Sequence, residues 1–311
     1  MSYSQEWLLF FETTSSSPGN PNMIRYLAAM LIFGTIGLFV RSIELPSTVI
    51  VLCRGFIGSA FLFAAGALLG RKVNWTSVRA NFAKLTSSGV LLGLNWVLLF
   101  EAYKSATIAA ATLIYYLAPI FVMALSVVFL GERLTARKCL CAAAALFGMS
   151  LVAGFWSPNA AANSTAVGLL QALGAAGFYA ALILNNKFIG RTVPVDPLDS
   201  ALVQLLTAAL VLVPYVATVV DLSTIRPDAL SLGLTLVVAV LHTGVAYWLF
   251  FSAIPKLEAA RIAVFAYVDP ATAILLSILL LKEPFTLASV AGALLILGAA
   301  AALEFGSGRK P

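Results

Sequence analysis

Charged side chains make up only 10% of these 311 residues, histidine occurs once and cysteine three times. A soluble domain is about a quarter charged, so a water-soluble globule is excluded. One histidine leaves no paired metal-ligand histidines. No Ser/His arrangement and no pair of intramembrane aspartates is recognisable by spacing, so no metal or cofactor is expected and the chain is not read as an enzyme. Cys53, Cys139 and Cys141 all fall in apolar runs without ligand partners and are read as packing residues; the last two are two positions apart and so occupy different helix faces. Inside the apolar runs the only Arg or Lys is Arg54, which argues against highly phosphorylated substrates, since those would want several interior cations. The net charge of +6 is spread along short loops and does not suggest a nucleic-acid partner.

What the chain does have is apolar length. Sixty-one per cent of it is hydrophobic and its mean hydropathy is +0.99. The runs are continuous rather than alternating, which predicts an all-α membrane protein. Ten transmembrane helices are expected, over roughly 23–40, 47–70, 85–103, 107–130, 138–155, 166–188, 197–220, 229–252, 259–281 and 285–303. Residues 1–22 read as a tail, with Met23 a natural alternative start; 157–165 as an uncharged Pro/Asn/Ala/Ser linker; and 306–311 as a second tail.

The chain carries one segment twice. Tyr116, Pro119, Glu132 and Thr135 recur 151 positions later as Tyr267, Pro270, Glu283 and Thr286, and Gly34 and Gly37 recur 140 positions later as Gly174 and Gly177. Residues 23–156 and 166–305 are thus two five-helix repeats. Five is odd, so the second repeat enters the membrane inverted, an architecture that in transporters places the substrate near the midplane between the halves. Lys and Arg set the orientation: fourteen fall on the side of the even loops and termini and four on the other, which predicts cytoplasmic termini.

Two five-span halves, each with a mid-helix proline and a GERLT-like ending (Gly131–Thr135 and Lys282–Thr286), resemble the EamA family of the drug/metabolite transporter superfamily over residues 24–305, and more narrowly the YddG-type amino-acid exporters of the bacterial inner membrane. The resemblance implies a multi-pass carrier of that membrane. Lys282 and Pro284 depart from Gly131 and Arg133 of the first motif.

Pro119 and Pro270 deprive the carbonyls of Tyr115 and Ala266 of their helical donors, so both helices are expected to kink beside a cavity and flex there; a static kink is the plainer alternative. Aromatics gather at mid-span, where interfacial anchors do not belong. Trp96, Tyr115, Tyr116, Phe178, Tyr179, Tyr247, Trp248 and Tyr267, with Asn95, are read as the lining of a mostly apolar site with a few hydrogen bonds, although some of these rings would only fill gaps between helices. Asp269 could receive an ammonium group or carry a proton, and His242 could respond to pH; each could equally serve an internal bond. Arg54, Glu132 and Glu283 are read as structural, the glutamates at helix starts or interfacial salt links. The function expected is export of amino acids or related small metabolites by alternating access, with membrane lipids as surroundings; a monomer suffices for this. Efflux of lipophilic cations is the rival, and an intramembrane enzyme the reading from another class.

Overall fold

A computed structural model describes residues 20–40, 42–152, 155–156, 165–221, 223, 225–281 and 287–305. Glu283 with the rest of the second motif, most of both tails, Arg41 and nearly all of the linker lie outside the described residues.

Every regular element among the described residues is helical: α1 (Pro21–Val40), α2 (Ser47–Leu68), α3 (Trp75–Ala80), α4 (Phe82–Ser105), α5 (Ile108–Tyr115), α6 (Ala118–Leu130), α7 (Ala136–Val152), α8 (Ala166–Asn186), α9 (Pro197–Val219), α10 (Ala229–Val237), α11 (Ala246–Ala253), α12 (Ala259–Phe265), α13 (Val268–Leu281) and α14 (Leu287–Phe305). A π-helical segment, Val238–Val245, joins α10 to α11. Among the described residues seven helical stretches are long and apolar enough to cross a membrane, and a shorter apolar one covers Val290–Leu303. The chain is a multi-pass membrane protein.

Local chemistry explains the boundaries. The short α3 starts where the Asn74 side chain accepts from the Ser77 amide at 3.1 Å. Gly131, the first residue of the first motif, ends α6 with φ +66°, a left-handed conformation that glycine adopts freely, and the Glu132 amide then bonds back to the Ser126 carbonyl. At the two prolines the helices break rather than kink. The Leu117 amide folds back onto Ile114, ending α5, and α6 starts with Pro119 at its second position, where a missing N–H costs nothing. The same occurs at Tyr267, whose amide turns back to Val264 just before Pro270 enters the first turn of α13.

Helices pack mainly across the middle of the sequence. α4 lies on α8 and α9, α2 on α9 and the π segment, α1 on α11 and α13, α8 on α5 and α6, and α7 on α14. Gly34 allows the closest approach of α1 to α13: a Cβ there would sit 2.6 Å from the Asp269 carbonyl oxygen. Gly37 has nothing within 4 Å of such a Cβ, so of the expected pair only Gly34 is a packing glycine. A buried amide network further joins α4, α8 and α9. Asn186 donates to Ser88 and Gln204, and Gln204 donates back to Asn186 and to Ser200. In a hydrocarbon setting such groups need partners from neighbouring helices, so the network holds three helices in register.

Hydrogen bonds outside the helices mark two ends of the bundle. At one, Lys104 joins Glu101 and Tyr215, and Thr165 binds the Ser105 carbonyl. At the other, Arg71 pairs with Asp196, Lys138 with Glu258, and Lys84 donates to the Phe188 carbonyl. Cys53 is half-buried, Cys139 exposed and Cys141 buried; all three are free.

Candidate functional site

Between the helices lies a cavity of about 240 Å³. Its walls come from α1 (Met30, Phe33, Ile36), α2 (Val51, Arg54), α4 (Trp96, Leu99, Phe100), both sides of the first break (Tyr115, Tyr116, Ala118, Pro119), α8 (Tyr179), α11 (Tyr247, Phe250) and the second break (Ala266, Asp269). Most of its α1, α2 and α4 wall comes from the halves nearer the Lys104 end. Toward the other end the bundle is filled by a buried cluster that includes Tyr26, Met123, Ile183, Phe251, Ile254 and Ile262.

Two facts of sequence build this wall. The breaks take Tyr116 and Ala266 out of the helical repeat, beside Tyr115 at the end of α5 and Asp269 in the first turn of α13, so neighbouring residues can reach one space. Rings then fill the perimeter: Trp96 meets Tyr247 edge-on at 6.0 Å, Tyr115 meets Tyr179 at 6.0 Å, and Phe33 meets Tyr247 at 5.0 Å. Such edge-to-face contacts favour an ordered wall over a collapsed one.

Among the described residues of the wall, charge enters at two points, one of each sign. The Arg54 guanidinium donates from Nε to the Thr243 hydroxyl at 2.8 Å, and Arg54 forms part of the cavity wall. Thr243 sits on the π segment, whose extra residue per turn is a common device for aiming side chains at functional sites. The Asp269 carboxylate, half-buried, has no hydrogen-bond donor among the described residues.

Not every expected lining residue is there. Asn95 is buried and donates to the Ala175 carbonyl at 2.8 Å, tying α4 to α8. His242, fully buried, meets the Thr35 hydroxyl through Nε2 at 2.8 Å and stacks edge-on with Phe39. Thr35 gives its own proton to the Ile32 carbonyl, so the imidazole Nε2–H is the donor in this bond between helices. Phe178 and Trp248 are half-buried and away from the cavity wall. Tyr267 is fully buried, and its hydroxyl donates to the Tyr116 carbonyl at 2.7 Å, one break bonding the other. Arg54, read from the sequence as structural, does make a structural bond, yet it also lines the cavity. Phe33 and Phe250 line it too; nothing distinguished them in the sequence from other apolar residues of their spans.

Glu132 accepts from the Ala259 amide at 2.9 Å and from Lys187 at 3.5 Å. It therefore caps the start of α12, in the other half of the chain, rather than the span that follows it. Lys187 also donates to the Leu257 carbonyl; its burial lowers the ammonium's pKa from the ordinary lysine value, and Glu132 partly offsets that. Among the described residues no cluster of three or more His, Cys, Asp or Glu side chains could hold a metal ion.

The EamA-like transporter family matches the chain over residues 22–154 and again over 166–304, and the chain belongs to that family. The uncharacterized transporter YxxF of Bacillus subtilis is 27% identical over 84% of this chain and 82% of its own length. Protein RarD of Salmonella typhi is 27% identical over 81% and 83%. The pseudopaline exporter CntI of Pseudomonas aeruginosa is 29% identical, over 44% and 46%. A solved crystal structure superposes with a TM-score of 0.79 over 93% of this chain and 99% of its own at 21% identity, a shared fold.

Proposed function

We propose that this transporter carries small zwitterions with apolar side chains, amino acids foremost, and exports them by alternating access. The observation that carries the proposal is the presence of one cation and one anion, Arg54 and Asp269, on the wall of a cavity whose other described residues are aromatic or aliphatic. A carboxylate meets the Arg54 fork, an ammonium meets Asp269, and the aromatic rings take the side chain. Size supports the same class. Drug-sized ligands occupy clefts of about 300–1,000 Å³, whereas this cavity is about 240 Å³. A lipophilic cation would suit Asp269 but would face the uncompensated charge of Arg54, which disfavours the efflux alternative.

The halves act as two inverted five-helix repeats of a ten-helix bundle, 23–156 and 166–305. Their packing supports this. Exchanging each helix for its repeat partner converts the α4–α8 contact into the π segment and α11 on α1, and α5 and α6 on α8 into α12 and α13 on α1; α2–α9 and α7–α14 map onto themselves. Tyr116 and Tyr267, repeat equivalents, touch each other. Residues related by a two-fold operation meet only beside its axis, so the axis runs between the two breaks, and the cavity lies on it. Arg71, Lys138 and Lys187, with most other cations, mark the cytoplasmic end. In a bacterium the inner membrane is the expected setting. The conformation described is thus sealed at the cytoplasmic end, by the Glu132–Lys187–Ala259 linkage and the buried cluster above it.

The test is uptake of labelled amino acids into liposomes holding the purified protein, beside a lipophilic cation. Transport of phenylalanine or leucine is expected, with Arg54→Gln raising the half-saturating concentration about tenfold, the scale of one charge-assisted hydrogen bond. Transport of the cation with no amino-acid flux would overturn the assignment.

A further inference from the structure

On the outside of the bundle, at the Lys187 end, α9 forms the floor of a trough whose walls are α2 and α4 and whose roof is α3. It encloses about 950 Å³. Leu206 and Leu210 line the floor, Phe63 and Phe82 the walls, and Trp75 and Arg79 the roof. The phenylalanines, Trp75 and Leu210 are each more than half exposed.

Below its roof the trough offers a polar solute no free hydroxyl donor. Its hydroxyls are already satisfied inside their own helices: Thr86 by the Phe82 carbonyl, Thr207 by Val203 and Ser59 by Phe56. From Leu202 to Leu210 the floor rises about 12 Å at 1.5 Å per residue, most of one ~15 Å leaflet. At the roof the chemistry changes abruptly. Of the four cations near this loop, Arg71 pairs with Asp196 and Lys84 is held by the Phe188 carbonyl. Arg79 and Lys72 have no hydrogen-bond or ion-pair partner among the described residues. Lys72 lines an adjoining recess of about 550 Å³ that shares Phe63 and Trp75 with the trough. Asp196 and Asp199 also line that recess, the first paired with Arg71 and the second accepting from the Asn74 amide. One continuous surface therefore runs from hydrocarbon depth to two cations without an ion-pair partner among the described residues, with an indole at the boundary where membrane-interface tryptophans sit.

We propose that this trough binds one anionic phospholipid from the leaflet facing α3, with an acyl chain along α9 and its phosphate between Arg79 and Lys72. The charge at the mouth selects the headgroup, and the satisfied hydroxyls below select hydrocarbon. The transport site plays no part in this, and lipid selectivity stands or falls independently of what the carrier moves. No counterpart is expected at the Lys104 end, where the cation Lys104 is engaged by Glu101 and Tyr215.

The experiment is native mass spectrometry of the full-length protein equilibrated in mixed micelles of phosphatidylglycerol and phosphatidylcholine. Retention of one phosphatidylglycerol in preference to phosphatidylcholine is expected. Arg79→Gln and Lys72→Gln each weaken that retention about fivefold, the worth of one surface cation toward anionic lipid, and leave phosphatidylcholine retention unchanged. Leu206→Trp, which fills the trough, expels bound lipid with both cations intact, and Lys104→Gln changes nothing. Equal retention of the two lipids by the parent protein, or a phosphatidylglycerol preference that survives the double Arg79/Lys72 variant, would overturn the proposal.

Discussion

At Tyr116–Leu117 and again at Ala266–Tyr267 the chain interrupts a membrane helix just ahead of a proline and resumes it in the next turn. The backbone solution is the same, and the side chains around it are not. Where the first break has Ala118, the second has Asp269; both residues line the cavity. Where the first turns Tyr116 into the cavity, the second buries Tyr267 and spends its hydroxyl on the Tyr116 carbonyl. One repeat supplies aromatic wall and an acceptor carbonyl, the other a charge and the brace that binds it. The difference teaches that the repeated backbone makes the compartment, while under the proposed function recognition falls to the positions at which the repeats have diverged.

The strongest way to break that comparison is to erase its charge. Asp269→Asn keeps the shape of the side chain and removes the anion that shares the cavity wall with Arg54. Leaving a desolvated charge without its counterpart costs about 2–5 kcal/mol, so amino-acid transport should fall by roughly 30-fold or more, with the protein still eluting as a monodisperse peak. Ala118→Gly, at the equivalent position, should change the rate less than threefold. Equal losses from the two would mean the divergence has no functional meaning. Parallel liposome assays of both variants decide it.

The helix crossings beside the breaks differ in a way that a glycine pair can sharpen. Gly34 and Gly174 are repeat equivalents, but a Cβ at Gly34 would meet the Asp269 carbonyl at 2.6 Å, whereas one at Gly174 would meet only the tip of Leu98, at 2.9 Å. A backbone oxygen cannot step aside as a leucine methyl can. Gly34→Ala should therefore destabilise by about 1–3 kcal/mol, and Gly174→Ala by well under 1 kcal/mol. Thermal unfolding in detergent, followed by intrinsic fluorescence, measures both.

The sequence exposed the backbone half of this picture better than the side-chain half. A 151-residue offset and two prolines located the breaks because proline acts locally, through its own missing N–H. Which residues face the cavity depends on helix azimuth, and spans that are apolar on every side carry no azimuthal signal. Neighbours on a helix point about 100° apart, so of Asn95 and Trp96, Phe178 and Tyr179, Tyr247 and Trp248, the cavity takes one of each pair: Trp96, Tyr179 and Tyr247. His242 and Asn95 drew attention as polar residues at mid-span, and each is matched by a partner on another helix, Thr35 or Ala175, that no local pattern announces. Arg54 is the converse: its Thr243 bond is local stabilisation, and only the assembled bundle brings it onto the same wall as Asp269. The break itself went further than the expected kink because the turn at Leu117 closes with a three-residue bond that ends one helix before the proline begins the next.

The smallest expected effect probes the brace between the breaks. Tyr267 donates to a main-chain oxygen, so the bond needs the hydroxyl of Tyr267 but not that of Tyr116. Tyr267→Phe removes the donor and leaves the Tyr116 carbonyl buried against a ring, a loss of about 1 kcal/mol. Tyr116→Phe keeps the carbonyl and the ring, and its stability should match the parent to within about 0.5 kcal/mol. If the brace also holds the breaks together while the carrier changes access, the two variants separate again in transport: Tyr267→Phe alters the turnover rate, because it loosens the axis about which the halves move, whereas Tyr116→Phe alters the half-saturating concentration, because its hydroxyl belongs to the cavity wall. Initial-rate curves for both variants over a range of substrate concentrations distinguish these outcomes, and a Tyr116→Phe protein that loses stability as much as Tyr267→Phe would show that the two breaks are braced by their rings rather than by this one bond.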